Sequence, residues 1–273
     1  MMRLAILTTA IFFALAAHSQ SYNELIKEGT RKLEKGEVQA AIKDYNDAIA
    51  LEPDNRYNEF AYANLALAYI KRGNTEKAEK MYSAALSLNP SSVKLLQQRG
   101  NLYLMEEKWE KALADYDSII SQEPFNEEAL YYRAYLHSTR KNNEKSYEDY
   151  YKILTVNPEN HKARFALALL YNKNNKNEEA LLLLDLLIEK NPNVPDYYTT
   201  CSNIVKAQGK EELALVYIEE GLKKCKETDG LLVEKAQLLI EMKRKEEAKR
   251  ILDYLTLNGH HTPQIKSLYK RCK

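Results

Sequence analysis

Seven segments of this chain superimpose on one another at a nearly constant step. Ala41, Tyr45, Ala48 and Pro53 return as Ala78, Tyr82, Ala85 and Pro90, then as Ala112, Tyr116, Ile119 and Pro124. They return again as Ser146, Tyr150, Ile153 and Pro158, and as Ala180, Leu184, Leu187 and Pro192. Two weaker copies follow, Ala214, Ile218, Gly221, Lys226 and Ala248, Leu252, Leu255, His260. From Ala78 onward every step is 34 residues; the first is 37, so three residues are inserted near Asn55–Asn58. Positions outside that alignment test it. Twelve residues before each aligned small residue stand Gly29, Ala66, Gly100, Ala134, Ala168, Ser202 and Ala236, all of them Gly, Ala or Ser. A fixed period of this length means one supersecondary unit repeated and stacked, since a single unit cannot bury its own apolar face.

The residue types say what the unit is. Small residues facing large ones let two antiparallel helices approach closely, and Tyr45, Tyr82, Tyr116, Tyr150, Leu184, Ile218 and Leu252 supply the large partners. Five of the seven prolines occupy one repeat position, where proline stops a helix and biases the preceding residue out of the α region. Gly36, Gly73 and Gly209 stand at the expected turn between the two helices, where a left-handed residue commonly ends a helix. Gly and Pro together are 15 of 273 residues, too few for a collagen-like or turn-dense β chain. With 29% charged and 45% hydrophobic residues the chain is not disordered by composition. A net charge of +1 argues against a nucleic-acid partner, and three cysteines make no disulfide scaffold.

This pattern resembles the tetratricopeptide repeat, a helix–turn–helix unit of 34 residues. The resemblance covers residues 22–262, as units near 22–55, 59–92, 93–126, 127–160, 161–194, 195–228 and 229–262. The chain departs from the family at the fourth repeat position, where Leu25, Tyr62, Leu96, Leu130, Arg164, Tyr198 and Leu232 replace the expected Trp. The last two units also lack the proline. The implied fold is all-α, a right-handed superhelical solenoid of about seven units. Thr262 and Pro263 suit an N-cap and a first helical position, and Ile265, Leu268 and Tyr269 make one apolar stripe. Residues 263–273 therefore read as a capping helix.

The N-terminus is of another kind. Met1–Arg3 carries one positive charge, Leu4–Ala17 carries none, and Ala17 and Ser19 are small residues at −3 and −1 of a cut after Ser19. This is the pattern of a secretory signal peptide over residues 1–19. Fourteen residues of helix would span about 21 Å of a roughly 30 Å hydrocarbon core, and no later stretch is long enough for a membrane span. The expectation is an exported protein, periplasmic or, alternatively, secreted.

No nucleophile elbow, zinc-helix, CxxC or phosphate-loop motif occurs, so no catalytic residue, metal ligand or cofactor is indicated. Residues 241–273 carry nine Lys and Arg against four Asp and Glu, a basic end that reads as a solvated cap or an acidic contact. The family resemblance implies a concave groove lined by the first helices of successive units. Transferred to this chain, its centre comprises Phe60, Leu67, Gln97, Asn101, Tyr131, Tyr135, Phe165 and Leu169. One subgroup of the family clamps a terminal carboxylate with Lys and Asn; Ile26 and Thr30 stand at the first-repeat positions here, so that mode is not implied. The expected function is a non-catalytic interaction scaffold of the cell envelope, binding a protein or peptide segment in the groove. The alternative is a structural subunit that self-assembles through its solenoid ends.

The export reading is checked by intact mass. Protein isolated from the envelope should weigh as residues 20–273, and retention of residues 1–19 would refute the cleavage.

Overall fold

The computed structural model describes residues 21–272, so the expected signal segment with its expected cut after Ser19, and Lys273, lie outside the described residues. Among the described residues there are fifteen helices and no strand. They are α1 (21–34), α2 (Val38–Leu51), α3 (Asn58–Lys71), α4 (Thr75–Leu88), α5 (Val93–Met105), α6 (Trp109–Gln122) and α7 (Glu127–Thr139). There follow α8 (Asn143–Val156), α9 (His161–Lys173), α10 (Asn177–Lys190), α11 (Pro195–Ala207), α12 (Glu211–Lys224), α13 (Asp229–Glu241), α14 (Lys245–Leu257) and α15 (Pro263–Cys272). The chain divides into two compact units between Leu136 and His137, inside α7. In the first, α3 packs on α4 and α5 on α6; in the second, α9 packs on α10, α11 on α12 and α13 on α14, with α15 laid on α13 and α14.

Helix pairs are held by size complementarity. All seven residues from Gly29 to Ala236 in the small-residue column are buried, as are all seven from Tyr45 to Leu252 in the large one. A Cβ on Gly29 would lie 2.9 Å from Tyr45 Cε1, and one on Gly100 would lie 3.1 Å from Tyr116 Cζ. The two rings therefore lie directly against helix backbone. Their hydroxyls are also satisfied, Tyr45 donating to Thr30 Oγ1 at 3.1 Å and Tyr116 to Asn101 Oδ1 at 2.7 Å.

The turns repeat as faithfully as the cores. One residue per pair has positive φ: Gly36, Gly73, Glu107, Lys141, Asn175, Gly209 and Lys243, with φ between 54° and 79°. The residue after each donates its N–H to the carbonyl five back, as Lys108 does to Tyr103 at 2.8 Å, which satisfies an otherwise orphaned helix-end carbonyl. Sequence located the turn through its glycines; the same conformation at Glu107, Lys141 and Lys243 costs about 1–2 kcal/mol each.

The weak sixth copy has a physical explanation. Gly221 stands where its neighbours carry Ala, Ile or Leu because Tyr198 fills the space: a Cβ there would meet Tyr198 Cγ at 2.9 Å. Tyr198 in turn donates its hydroxyl to the Pro192 carbonyl at 2.9 Å, capping the end of the preceding segment. Arg164, one repeat earlier, does the same for the Pro158 carbonyl through Nη2, while its buried Nη1 has no partner.

Polar contacts also join one pair to the next in the first unit. Glu79 of α4 accepts from Lys108 and Lys111 at 2.7 and 2.6 Å and from Tyr103 at 3.2 Å. Burial works against its charge, but the two lysines outweigh that and hold the carboxyl down at about 2. Arg99 reaches across to Ser83 Oγ of α4 at 3.2 Å while binding both oxygens of Asp115 in its own pair at 2.9 and 2.7 Å.

Two substitutions probe this architecture with opposite signs. Ala112 is fully buried, so Ala112→Phe should overpack its pair and cost about 1–3 kcal/mol, read as a lower melting temperature. Glu107→Gly should relieve the left-handed strain at φ 54° against the loss of unfolded-state rigidity, for a net gain of about 0.5–1 kcal/mol and a higher melting temperature. An unchanged melt for Ala112→Phe would contradict the pairing of α5 with α6.

Candidate functional site

The first helices of the second and third pairs, α3 and α5, enclose a recess of about 450 Å³ including its open mouth. Its apolar lining is Phe60, Ala63, Leu67 and Leu95, and its polar lining includes Asn64, Gln98 and Lys94. Leu95 is buried, Ala63 and Leu67 half-buried, and Phe60 exposed by 55%. Phe60 can stay on the surface because the three-residue insertion before α3 brings Tyr57 against it. The two rings stack with centroids 6.5 Å apart and planes 17° apart, and the Arg56 guanidinium lies 4.9 Å from the Tyr57 centroid. Leu67 serves two surfaces, since it also packs against the core cluster of Leu33, Ala41, Tyr45 and Leu65.

Two of the expected groove amides are engaged within the fold. Gln97 Nε2 donates to Asn101 Oδ1 at 3.1 Å, and the same oxygen accepts from Tyr116 at 2.7 Å. The amides that do line the recess are Asn64 and Gln98, 34 residues apart and thus at one repeat position. Gln98 Oε1 is buried with no hydrogen-bond partner. A buried amide oxygen left unpaired costs free energy that a donor would recover. Sequence reasoning missed Gln98 because it lies one residue, about 100° around the helix, from the position transferred from the family.

The remaining expected residues fall in both units. Tyr131 is half-buried in the first, edge-on to Tyr132 with ring centroids 5.5 Å apart, and Tyr132 stacks on Tyr116 at 5.7 Å. Burial raises the Tyr131 phenol above its ordinary value. Tyr135, four residues on, is 46% exposed. In the second unit Leu169 is exposed, whereas Phe165 packs against the cluster of Ala168, Leu184 and Cys201, its ring 5.2 Å from that of Tyr197.

Among the described residues no group of three His, Cys, Asp or Glu is placed to hold a metal ion. His260 faces Asp229 at 3.3 Å, and His161 shares the Asn191 amide. All three cysteines are free, and burial pushes the Cys201 thiol up to about 12, which removes its nucleophilic form at neutral pH. No helix among the described residues is long and apolar enough to cross a membrane.

Models of the tetratricopeptide-repeat family match residues 60–92 and 139–204. Among curated proteins, DnaJ protein P58IPK homolog B of Oryza sativa subsp. japonica is 33% identical over 76 residues, which are 28% of this chain and 16% of that protein. Photosystem I assembly protein Ycf3 of Synechococcus sp. (strain CC9605) is 28% identical over 93 residues, 34% of this chain and 52% of that protein. The chain thus spans about half or less of these relatives. Among solved structures, a tetratricopeptide repeat protein from Parabacteroides merdae superimposes with a TM-score of 0.71 at 28% identity, covering 93% of this chain and 99% of that one. YrrB, a tetratricopeptide-repeat protein with an unusual peptide-binding site, superimposes with a TM-score of 0.54 at 17% identity over 64% of this chain and 93% of its own. The turn-linked helix pairs, the repeat matches and the full-length likeness to the Parabacteroides merdae structure together place this chain in the tetratricopeptide-repeat family.

Proposed function

We propose that this chain is a non-catalytic scaffold of the cell envelope that holds an extended segment of a partner protein, with the recess between α3 and α5 as its anchoring point. Members of the family are generally protein-interaction scaffolds, which supports the class of function. The observation that carries the site is the pairing of an apolar lining with two amides, one of which, Gln98, has a buried oxygen without a partner. Phe60, Ala63, Leu67 and Leu95 offer room for one apolar side chain of the partner, and Asn64 and Gln98 offer hydrogen bonds to its backbone. Such a site recognises main chain through polar groups and one residue through shape, the division of labour seen when extended peptides bind. Tyr57 and Phe60 add exposed aromatic area, which is enriched at interaction surfaces. The compartment rests on the N-terminal segment: residues 1–19 have the charge, apolar and small-residue order of a cleaved export signal.

A peptide library panned on the purified protein, followed by fluorescence polarisation of the enriched peptides, tests the site. Phe60→Ala should weaken their binding at least about tenfold, because central aromatic anchors cost roughly 2 kcal/mol or more when truncated. Since Phe60 is exposed by 55%, the melting temperature should stay near that of the parent protein. Peptides that bind equally well to Phe60→Ala would place the binding surface elsewhere.

A further inference from the structure

The basic end of the chain is left unexplained by a peptide site in the first unit. Two of its four carboxylates, Glu241 and Glu247, face cations. Glu247 accepts from Arg244 at 2.6 Å, Glu241 faces Lys206 at 3.4 Å and Arg271 at 3.9 Å, and Asp253 accepts from the Tyr269 hydroxyl. Among the described residues, Lys249, Arg250, Lys266 and Lys270, by contrast, have no carboxylate within 4 Å. These bases share a surface with bare apolar groups. On α14 the residues Ala248, Leu252 and Leu255 face inward, so Arg250, Tyr254 and Leu257, at i, i+4 and i+7, run along the outer side, with Glu246 and Asp253 on the same side and outnumbered by Arg250, Lys266 and Lys270 of the combined face. Tyr254 is 56% exposed and Leu257 is 88% exposed. On α15, Lys266 and Lys270 flank Tyr269, and the bond from Tyr269 to Asp253 sets that stretch beside the outer stripe of α14.

We propose that this face, Arg250, Tyr254 and Leu257 of α14 with Lys266 and Lys270 of α15, docks on a bilayer surface that carries anionic phospholipid. The bases attract the phosphate layer, and their long stems let the charge stay at the headgroups while the chain lies close. The tyrosine ring, apolar with a polar tip, suits the headgroup level, and Leu257 reaches the acyl boundary. Neither term is sufficient alone. One leucine buries too little area to anchor a protein, and bare charges would serve any polyanion. Their coincidence on one face distinguishes a bilayer from a soluble acidic chain, to which Leu257 contributes nothing. The proposal does not depend on the peptide site, because every residue it uses belongs to the other unit.

Co-sedimentation with vesicles of phosphatidylcholine, alone or mixed with phosphatidylglycerol, tests it. Both the full chain and the form lacking residues 1–19 are used, so that the apolar N-terminal segment cannot account for the result. Binding is expected to the phosphatidylglycerol vesicles alone and to weaken with added salt. Each base near an anionic surface is worth about fivefold, so Lys266→Glu with Lys270→Glu should weaken binding by more than about tenfold. Leu257→Ser should weaken vesicle binding about fivefold and leave binding to poly-glutamate unchanged. If the double variant melts early, Arg250→Glu on the other helix reads the same electrostatic contribution. Failure to bind phosphatidylglycerol vesicles, or binding indifferent to all these substitutions, overturns the proposal. So does vesicle binding that Leu257→Ser leaves intact, which would assign the face to acidic polymers.

Discussion

The contact between a residue without side-chain bulk on one helix and a ring or branched chain on the next sets everything else in this protein. At Gly29 and Gly100 even a methyl group would press into the opposing tyrosine. That closeness lets two short helices, each too short to be stable alone in water, bury a shared seam. Because the seam is made once per pair, it must recur at a fixed spacing, and the 34-residue period is its trace in the sequence. The complementarity belongs to the touching residues rather than to columns of an alignment. In the sixth pair the bulk sits at Tyr198 and the vacancy at Gly221, so a copy that looks degenerate column by column is well packed in space.

Around that seam the chain tolerates local costs. Three of its seven helix turns put Glu or Lys in the left-handed region. Arg164 is buried with one nitrogen unpaired, although its other nitrogen caps the Pro158 carbonyl. A tyrosine does the same capping one repeat later without the burden of a buried charge. Stacked repeats can absorb such costs because each unit is stabilised by its neighbours as well as by itself.

Sequence alone made the helix pairs and some of their turns legible as repeated residue types, and the C-terminal helix legible as a cap followed by an apolar stripe. The period exposed the small and large columns, prolines marked the ends of second helices, and Gly36, Gly73 and Gly209 marked three of the turns. Three more turns were invisible because Glu107, Lys141 and Lys243 are not residues one expects at positive φ, and Asn175, which tolerates that conformation, stands among Asn172, Asn174 and Asn177, so residue type did not single it out. The candidate site was legible only in part. Phe60 and Leu67 do line the recess, whereas Gln97 donates to Asn101, whose oxygen also accepts from Tyr116. Which of two adjacent glutamines faces a recess depends on helix rotation and on competing hydrogen bonds, neither of which is carried by residue type.

The same seam also decides which polar groups remain for a partner. In the first and third pairs the residue after the small residue meets the large one: Thr30 and Asn101 accept from Tyr45 and Tyr116, so both are occupied by the fold. In the second pair that position is Leu67, which offers Tyr82 no acceptor and instead contributes apolar surface to the recess. Tyr82 is left to burial, which pushes its phenol up to about 12. Where the large residue is Leu184 or Ile218 there is no hydroxyl to satisfy, and Leu169 and Asn203 remain exposed. Tyr45 and Tyr116 thus each take one polar group out of the binding face, and Ile218 makes no such claim on Asn203. The recess between α3 and α5 forms where the seam claims neither Asn64 nor Gln98, so the chemistry open to a partner is what the packing of the helix pairs has not already used.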